Sequence, residues 1–154
     1  MILTAQIFSA VGLVLTTGGR LFKKQEYNLA FNLLANIFFG ISYIFLSAYM
    51  GAVCSFVAVV RSFVFYLYLK KDWNKNIWLL ICFEIVYLIT SIISFSGWYD
   101  FVLVLARGTI FTYGAWQQNV KVFRITSIIA CVVTLLYNIK YQGYVNILAE
   151  SISI

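Results

Sequence analysis

Between Tyr27 and Leu69 the chain carries one formal charge, Arg61, and no proline, against a background of Leu, Ile, Val, Phe, Tyr and Ala. A helix needs about 20 apolar residues to cross a ~30 Å hydrocarbon core, so this stretch is long enough for two crossings joined by a minimal turn. Read the same way, the rest of the chain predicts an all-α polytopic membrane protein of seven spans. They run from about Leu3 to Gly18, Tyr27 to Ala48, Gly51 to Leu69, Asn76 to Phe95 and Tyr99 to Trp116, then a sixth reaching about Ile139 and a seventh from Tyr144. Asp72 lies in the polar connection after the third span, and Ser96, Gly97 and Trp98 form the turn into the fifth.

Composition supports this pattern. Of 154 residues, 63% are hydrophobic and 10% charged, too few charges to cover a water-soluble surface. The net charge of +6 does not indicate nucleic acid, because the basic residues are confined to short connections between apolar spans. Arg20, Lys23, Lys24, Lys70, Lys71, Lys75, Lys121 and Arg124 fall on connections one, three and five, whereas connections two, four and six carry only Lys140. The positive-inside rule then places the N-terminus outside and the C-terminus in the cytoplasm. Nothing before Ile2 resembles the basic start of a cleavable signal, so the first segment is expected to be a permanent helix. The seventh span stops about eleven residues after Tyr144, and the natural chain is expected to continue by roughly ten apolar residues and a basic cap.

With no histidine, and with Cys54, Cys82 and Cys131 lying singly in apolar segments, no metal site, cofactor or disulfide is expected. The cysteines read as core or lipid-facing residues. With only five acidic residues as well, an enzyme is not expected.

The chain also matches itself. Gly12, Thr16 and Gly18 align with Gly108, Thr112 and Gly114 at an offset of 96, Tyr43 with Tyr137 at 94, and Gly51 and Val53 with Gly143 and Val145 at 92. Each step falls near a connection, where length changes are tolerated. The predicted organisation is therefore a single membrane domain: a three-helix repeat over residues 1–70, a linker helix over 76–95, and a second repeat over 99–154 with a shortened last helix. An odd linker gives both triplets the same orientation.

Charges at bilayer depth are costly and mark candidate sites. At ~1.5 Å rise per residue, Arg61 lies ~13 Å and Glu84 ~12 Å from the inner ends of their spans, Arg107 ~12 Å and Glu150 ~10 Å from the outer ends. All four fall near the midplane. Two readings stay open. Either Arg61 pairs with Glu84 or Glu150 and Arg107 with the remaining acid as structural bridges between helices, or at least one pair lines a cavity that binds a polar solute or takes up a proton. Asn32 and Asn36 share one face of the second span, and Asn138 and Asn146 flank the turn before the seventh; their amides suit a polar solute or interhelical hydrogen bonds. Trp73, Trp78, Trp98 and Trp116 fit interfacial anchors, while Tyr43, Tyr137 and Tyr113 are candidate cavity walls.

The three-plus-one-plus-three plan with an outside N-terminus resembles the sugar-exporting SWEET proteins, the wider PQ-loop group and the nicotinamide riboside transporters. The stretch from Gln6 through Gly12, the run Phe22, Lys23, Lys24 and Gln25, the Tyr43 to Gly51 turn, the run Ala58, Val59, Val60 and Arg61, and the stretch Gly143 to Glu150 look like the YgjV-type bacterial inner membrane protein family. The resemblance implies a bacterial inner membrane protein. The architecture implies a transporter of a sugar- or nucleoside-like or other polar solute, alternating access between two three-helix bundles; the alternative is a non-transporting membrane subunit or scaffold. The lipid bilayer is the expected partner, and self-association is left open. Proline hinges associated with the PQ-loop group have no counterpart here, and Gly12, Gly18, Gly108 and Gly114 read as close-packing positions.

Overall fold

A computed structural model of the chain describes residues 2–22, 24–71, 73, 74 and 76–141. Among these residues the architecture is all-α, with six helices: α1 (Ile2–Arg20), α2 (Gln25–Phe45), α3 (Tyr49–Lys70), α4 (Ile77–Ile93), α5 (Trp98–Trp116) and α6 (Val120–Lys140). They follow the first six apolar spans with ends shifted by a few residues. The expected seventh helix from Tyr144, with Gly143, Val145, Asn146 and Glu150, lies outside the described residues.

The helix ends have local causes. Asn76 and Asn119 cap α4 and α6, their side-chain oxygens accepting from the backbone N–H of Trp78 and Lys121 at 2.9 Å each. The last carbonyls of α2 are closed by a Schellman arrangement: Ala48 N–H donates to Tyr43 O (2.9 Å) and Ser47 N–H to Ile44 O (3.1 Å), with Ser47 left-handed at φ 57°. That motif reverses the chain within three residues without glycine or proline. Gly97, the N-cap of α5, sits at φ 146°, a backbone conformation that a side chain would strain.

α2, α3 and α6 are long and apolar enough to cross a membrane, and Leu3–Gly19 and Ile77–Ile93 form shorter apolar helices. Polarity is arranged inside out. Large apolar residues such as Val14, Val60, Ile85, Ile93 and Ile129 face outward, while Ser9, Asn36, Ser42, Ser55, Arg61, Thr112, Thr134 and Asn138 are buried. In lipid, apolar burial supplies no drive to bring helices together, so packing and interhelical hydrogen bonds must hold the bundle. α2 packs along both α1 and α3, α5 packs along α6, and α3 meets α4 and α5. α4 buries little beyond Tyr87 and Ser91, four residues apart on one stripe.

Close glycine contacts let aromatic rings reach the backbone. A Cβ on Gly12 would stand 2.8 Å from the Phe39 ring, one on Gly108 2.9 Å from the Tyr87 ring, and one on Gly114 would collide with Thr126. The packing role holds at these three positions. It fails at Gly18, which has open space around it.

Cross-helix bonds sort the connections to the two ends of the bundle. At one end Arg124 Nη2 donates to Phe22 O (3.5 Å), Trp116 Nε1 to Asn76 O (3.0 Å) and Gln118 Nε2 to Trp73 O (3.2 Å), joining connections one, three and five. At the other, Ser96 Oγ contacts Met50 Sδ (3.9 Å) and Lys140 meets Asp100. Lys24, Lys70, Lys71, Lys121 and Arg124 thus belong to one end and Lys140 to the other. The four tryptophans stand at or beside helix ends, as interfacial anchors should.

Candidate functional site

A cavity of about 40 Å³ lies at the centre of the bundle, lined from all six helices. Thr16 comes from α1, Asn32, Asn36 and Phe39 from α2, Gly51, Cys54, Ser55, Ala58 and Arg61 from α3, and Tyr87 from α4; α5 supplies Arg107, Gly108 and Phe111 among others, and α6 Cys131, Thr134 and Tyr137. Two of the three cysteines therefore face the cavity from buried positions, and Cys82 is exposed on the outside of the bundle.

Arg61 dominates the site. Its side chain is buried, yet among the described residues it has no ion pair. Its Nη1 donates to Gly108 O and Thr112 Oγ1, both at the long distance of 3.4 Å, and its buried Nε has no hydrogen-bond partner among those residues. The Thr112 hydroxyl donates in turn to Gly108 O (2.7 Å), leaving a lone pair for Arg61. The guanidinium lies near two aromatic faces, its Cζ 5.7 Å from the Tyr87 centroid and 5.4 Å from that of Phe111. Ring quadrupoles offset part of the cost of the buried charge without consuming its N–H donors.

On the opposite wall Thr16 Oγ1 donates to Gly12 O at 2.9 Å, the same glycine-to-threonine bond that Gly108 and Thr112 make in α5. Asn36 Nδ2 donates to both the carbonyl and the side-chain oxygen of Asn32 (2.7 Å each), and Ser62 Oγ donates to Asn32 Oδ1 at 3.2 Å. The two asparagines thus line the cavity and also tie α2 to α3. Below them Tyr137 accepts from Gly51 N–H at 3.0 Å, while Tyr43 donates to Asn138 Oδ1 at 2.9 Å. A Cβ on Gly51 would stand 2.8 Å from the Tyr137 oxygen, so the bare glycine admits this contact.

The structure brings together Arg61, Arg107, Asn32, Asn36 and Tyr137 of the expected site. Tyr43 buttresses the cavity instead of lining it, packing edge-on against Tyr137. Glu84 is half-buried outside the cavity lining: its Oε2 accepts from Thr109 Oγ1 at 2.7 Å, its buried Oε1 has no hydrogen-bond partner among the described residues, and it makes no ion pair with Arg61. Position along a helix sets depth in the membrane but not the direction around the helix axis, and Glu84 shares the depth of Arg61 without sharing its face. Tyr113 is also corrected, being 44% exposed on the outer surface beside Trp116. Asn146 and Glu150 lie outside the described residues.

Asp100 was not expected as a polar centre. Its Oδ2 accepts from Lys140 Nζ (2.7 Å), Tyr141 Oη (2.7 Å) and Ser96 Oγ (2.8 Å), making the ion pair between the ends of α5 and α6. Burial and the bond to Asp100 push the Tyr141 phenol above its ordinary pKa, so it stays protonated and donating at neutral pH. A carboxylate in the first turn of α5 is also favoured by the helix dipole.

No curated protein and no solved structure matches the chain. The Imp-YgjV family, described as bacterial inner membrane protein, matches residues 3–154. An apolar exterior around a buried polar cavity suits that setting, and the chain belongs to this family of bacterial inner membrane proteins.

Proposed function

We propose that this membrane protein moves a small polar solute by alternating access between two three-helix bundles, α1 to α3 and α5, α6 and a seventh helix from Tyr144, joined by α4. The observation that carries the reading is the buried cavity lined by polar side chains from both halves, with Arg61 and Arg107 on its walls. A charged residue within the membrane is costly and serves a pathway or site more often than packing. The matched Gly12–Thr16 and Gly108–Thr112 bonds support a parallel repeat, for which a central cavity between repeats is the expected binding place. Segregation of basic residues to the end holding connections one, three and five supports an outside N-terminus and a cytoplasmic C-terminus.

A second reading, a non-transporting membrane subunit, is favoured by the small size of the cavity, which at ~10–15 Å³ per water holds about three waters. In the transport reading this is an occluded state that widens when the bundles separate. Purified protein in sealed liposomes, screened for uptake of radiolabelled small acids, sugars and nucleosides, decides between them. Saturable flux abolished by Arg61→Ala and partly kept by Arg61→Lys supports transport. Flux equal to protein-free liposomes for every class rejects it.

A further inference from the structure

Arg61 carries a buried charge with no ion pair among the described residues. The described cavity lining around it holds no carboxylate; Glu84, outside that lining, accepts from Thr109 through Oε2, and Asp100 pairs with Lys140 at the far end. Arg61 is buried with an unpartnered Nε and only long bonds from Nη1, and its neighbours over the guanidinium are ring faces, which accept no strong hydrogen bond. A planar fork of donors held in this way is complementary to a carboxylate, which accepts two parallel N–H bonds. Of the remaining polar walls, the side-chain amide of Asn32 can donate to an anion's oxygen atoms, while the hydroxyls of Thr16, Ser55 and Thr134 already donate to carbonyls of their own helices.

Size narrows the class further. Room for about three waters corresponds to a molecule of three or four non-hydrogen atoms, which admits formate or acetate and excludes a sugar ring in this state. We propose that the cavity is an anion site for a small monocarboxylate of the formate and acetate class, held by Arg61. This deepens the transport reading by naming the solute, but the site can be tested by equilibrium binding alone.

The test is binding of [14C]acetate to purified protein in detergent at pH 7.5, where the acid is ionised, with unlabelled acetate, acetamide and chloride as competitors. Saturable binding displaced by acetate and not by acetamide, a neutral molecule of nearly the same shape, is the expected result. Arg61→Gln should weaken it roughly tenfold or more, with Arg61→Lys intermediate, because the charge remains while the fork is lost. Equal displacement by acetamide, or no saturable binding to the wild type, would overturn the proposal without need of any variant. Displacement by chloride as effective as by acetate would reduce the site to a halide site and also overturn it. Binding that emerges only in Glu150→Gln would identify a resident carboxylate as the counter-ion, and the solute class would fall. Acetate binding without any liposome flux would retain the site and remove the transport reading, so the two failures are distinct.

Discussion

Tyr43 and Tyr137, the tyrosines that the offset of 94 aligns, pack against each other edge to face, with ring centroids 5.8 Å apart and planes at 84°. Residues related by a two-fold axis can touch only if they lie close to that axis, so a parallel repeat about the membrane normal would place both tyrosines near it. Their hydroxyls point to different partners. Tyr137 caps a free N–H in the first turn of α3 at Gly51, and Tyr43 bonds Asn138 beside Tyr137. A structure in which α1 to α3 cannot be superposed on α5, α6 and the residues that follow by such a rotation would remove the repeat.

The Tyr137 cap has a stability consequence. Tyr137→Phe keeps the ring and deletes the acceptor, leaving Gly51 N–H buried without it, a loss of about 1 to 3 kcal/mol. Gly51→Ala should be at least as damaging, because its methyl meets both the oxygen and the ring of Tyr137. Thermal unfolding in a mild detergent measures both; a Tyr137→Phe midpoint equal to the wild type would show that the bond contributes nothing.

Two turn positions predict changes of opposite sign. Ser47 holds a left-handed conformation that costs a side-chain-bearing residue about 1 to 2 kcal/mol, so Ser47→Gly should raise the unfolding midpoint. Gly97→Ala should lower it, although nothing crowds the added Cβ, because the strain there is in the backbone alone. Unchanged midpoints for both variants would refute the turn assignments.

The sequence made the spans legible because twenty-residue apolar runs punctuated by charge have few other readings. It also exposed Arg61, Arg107, Asn32 and Asn36, since a charge or amide stands out against leucine and phenylalanine. Thr16, Ser55 and Thr134 gave no such signal: each bonds the carbonyl four residues back, as serine and threonine do throughout membrane helices, and their place on the cavity comes from the rotation of each helix. The same rotation keeps Glu84 off the cavity lining, half-buried beside Thr109. Asp100 was missed because it stands at the start of a span, where an acid is ordinary, and only the folded chain brings Lys140 and Tyr141 to it.

The proposed orientation is tested at the end to which the basic connections gather. In a variant with Cys54, Cys82 and Cys131 replaced by alanine or serine, single cysteines at Lys71 or Lys121 should react with a membrane-impermeant maleimide only after cells are permeabilised, whereas a cysteine at Lys140 should react in sealed cells. Labelling of Lys71→Cys in sealed cells would invert the topology.

The Lys140–Asp100 pair should be modest in energy despite its short distance, because Lys140 is 42% exposed and solvent screens it. Asp100 itself is fully covered and serves three donors, so Asp100→Ala should cost more than Lys140→Ala: the first leaves Tyr141 and Ser96 without their shared acceptor, the second leaves them bonded. The order is measured by thermal unfolding of the two variants. Equal losses would mean that the ion pair alone accounts for the cluster.

Alternating access requires the two bundles to part at each end in turn, and the end opposite the basic connections offers a place to block that motion. There Met50, in the first turn of α3, touches Ser96, in the connection from α4 to α5, at 3.9 Å between side-chain sulfur and oxygen. In the same cysteine-replaced background, Met50→Cys with Ser96→Cys can be joined by a short bifunctional thiosulfonate, which spans several ångströms and does not demand the narrow geometry of a direct disulfide. Linking α3 to the start of α5 holds that end shut while leaving the cavity residues untouched. Acetate binding in detergent should survive the cross-link, whereas liposome flux should fall by roughly tenfold or more and return on reduction. Full flux through the cross-linked protein would show that α3 and the α4–α5 connection never separate during transport, and alternating access between these two bundles would be wrong.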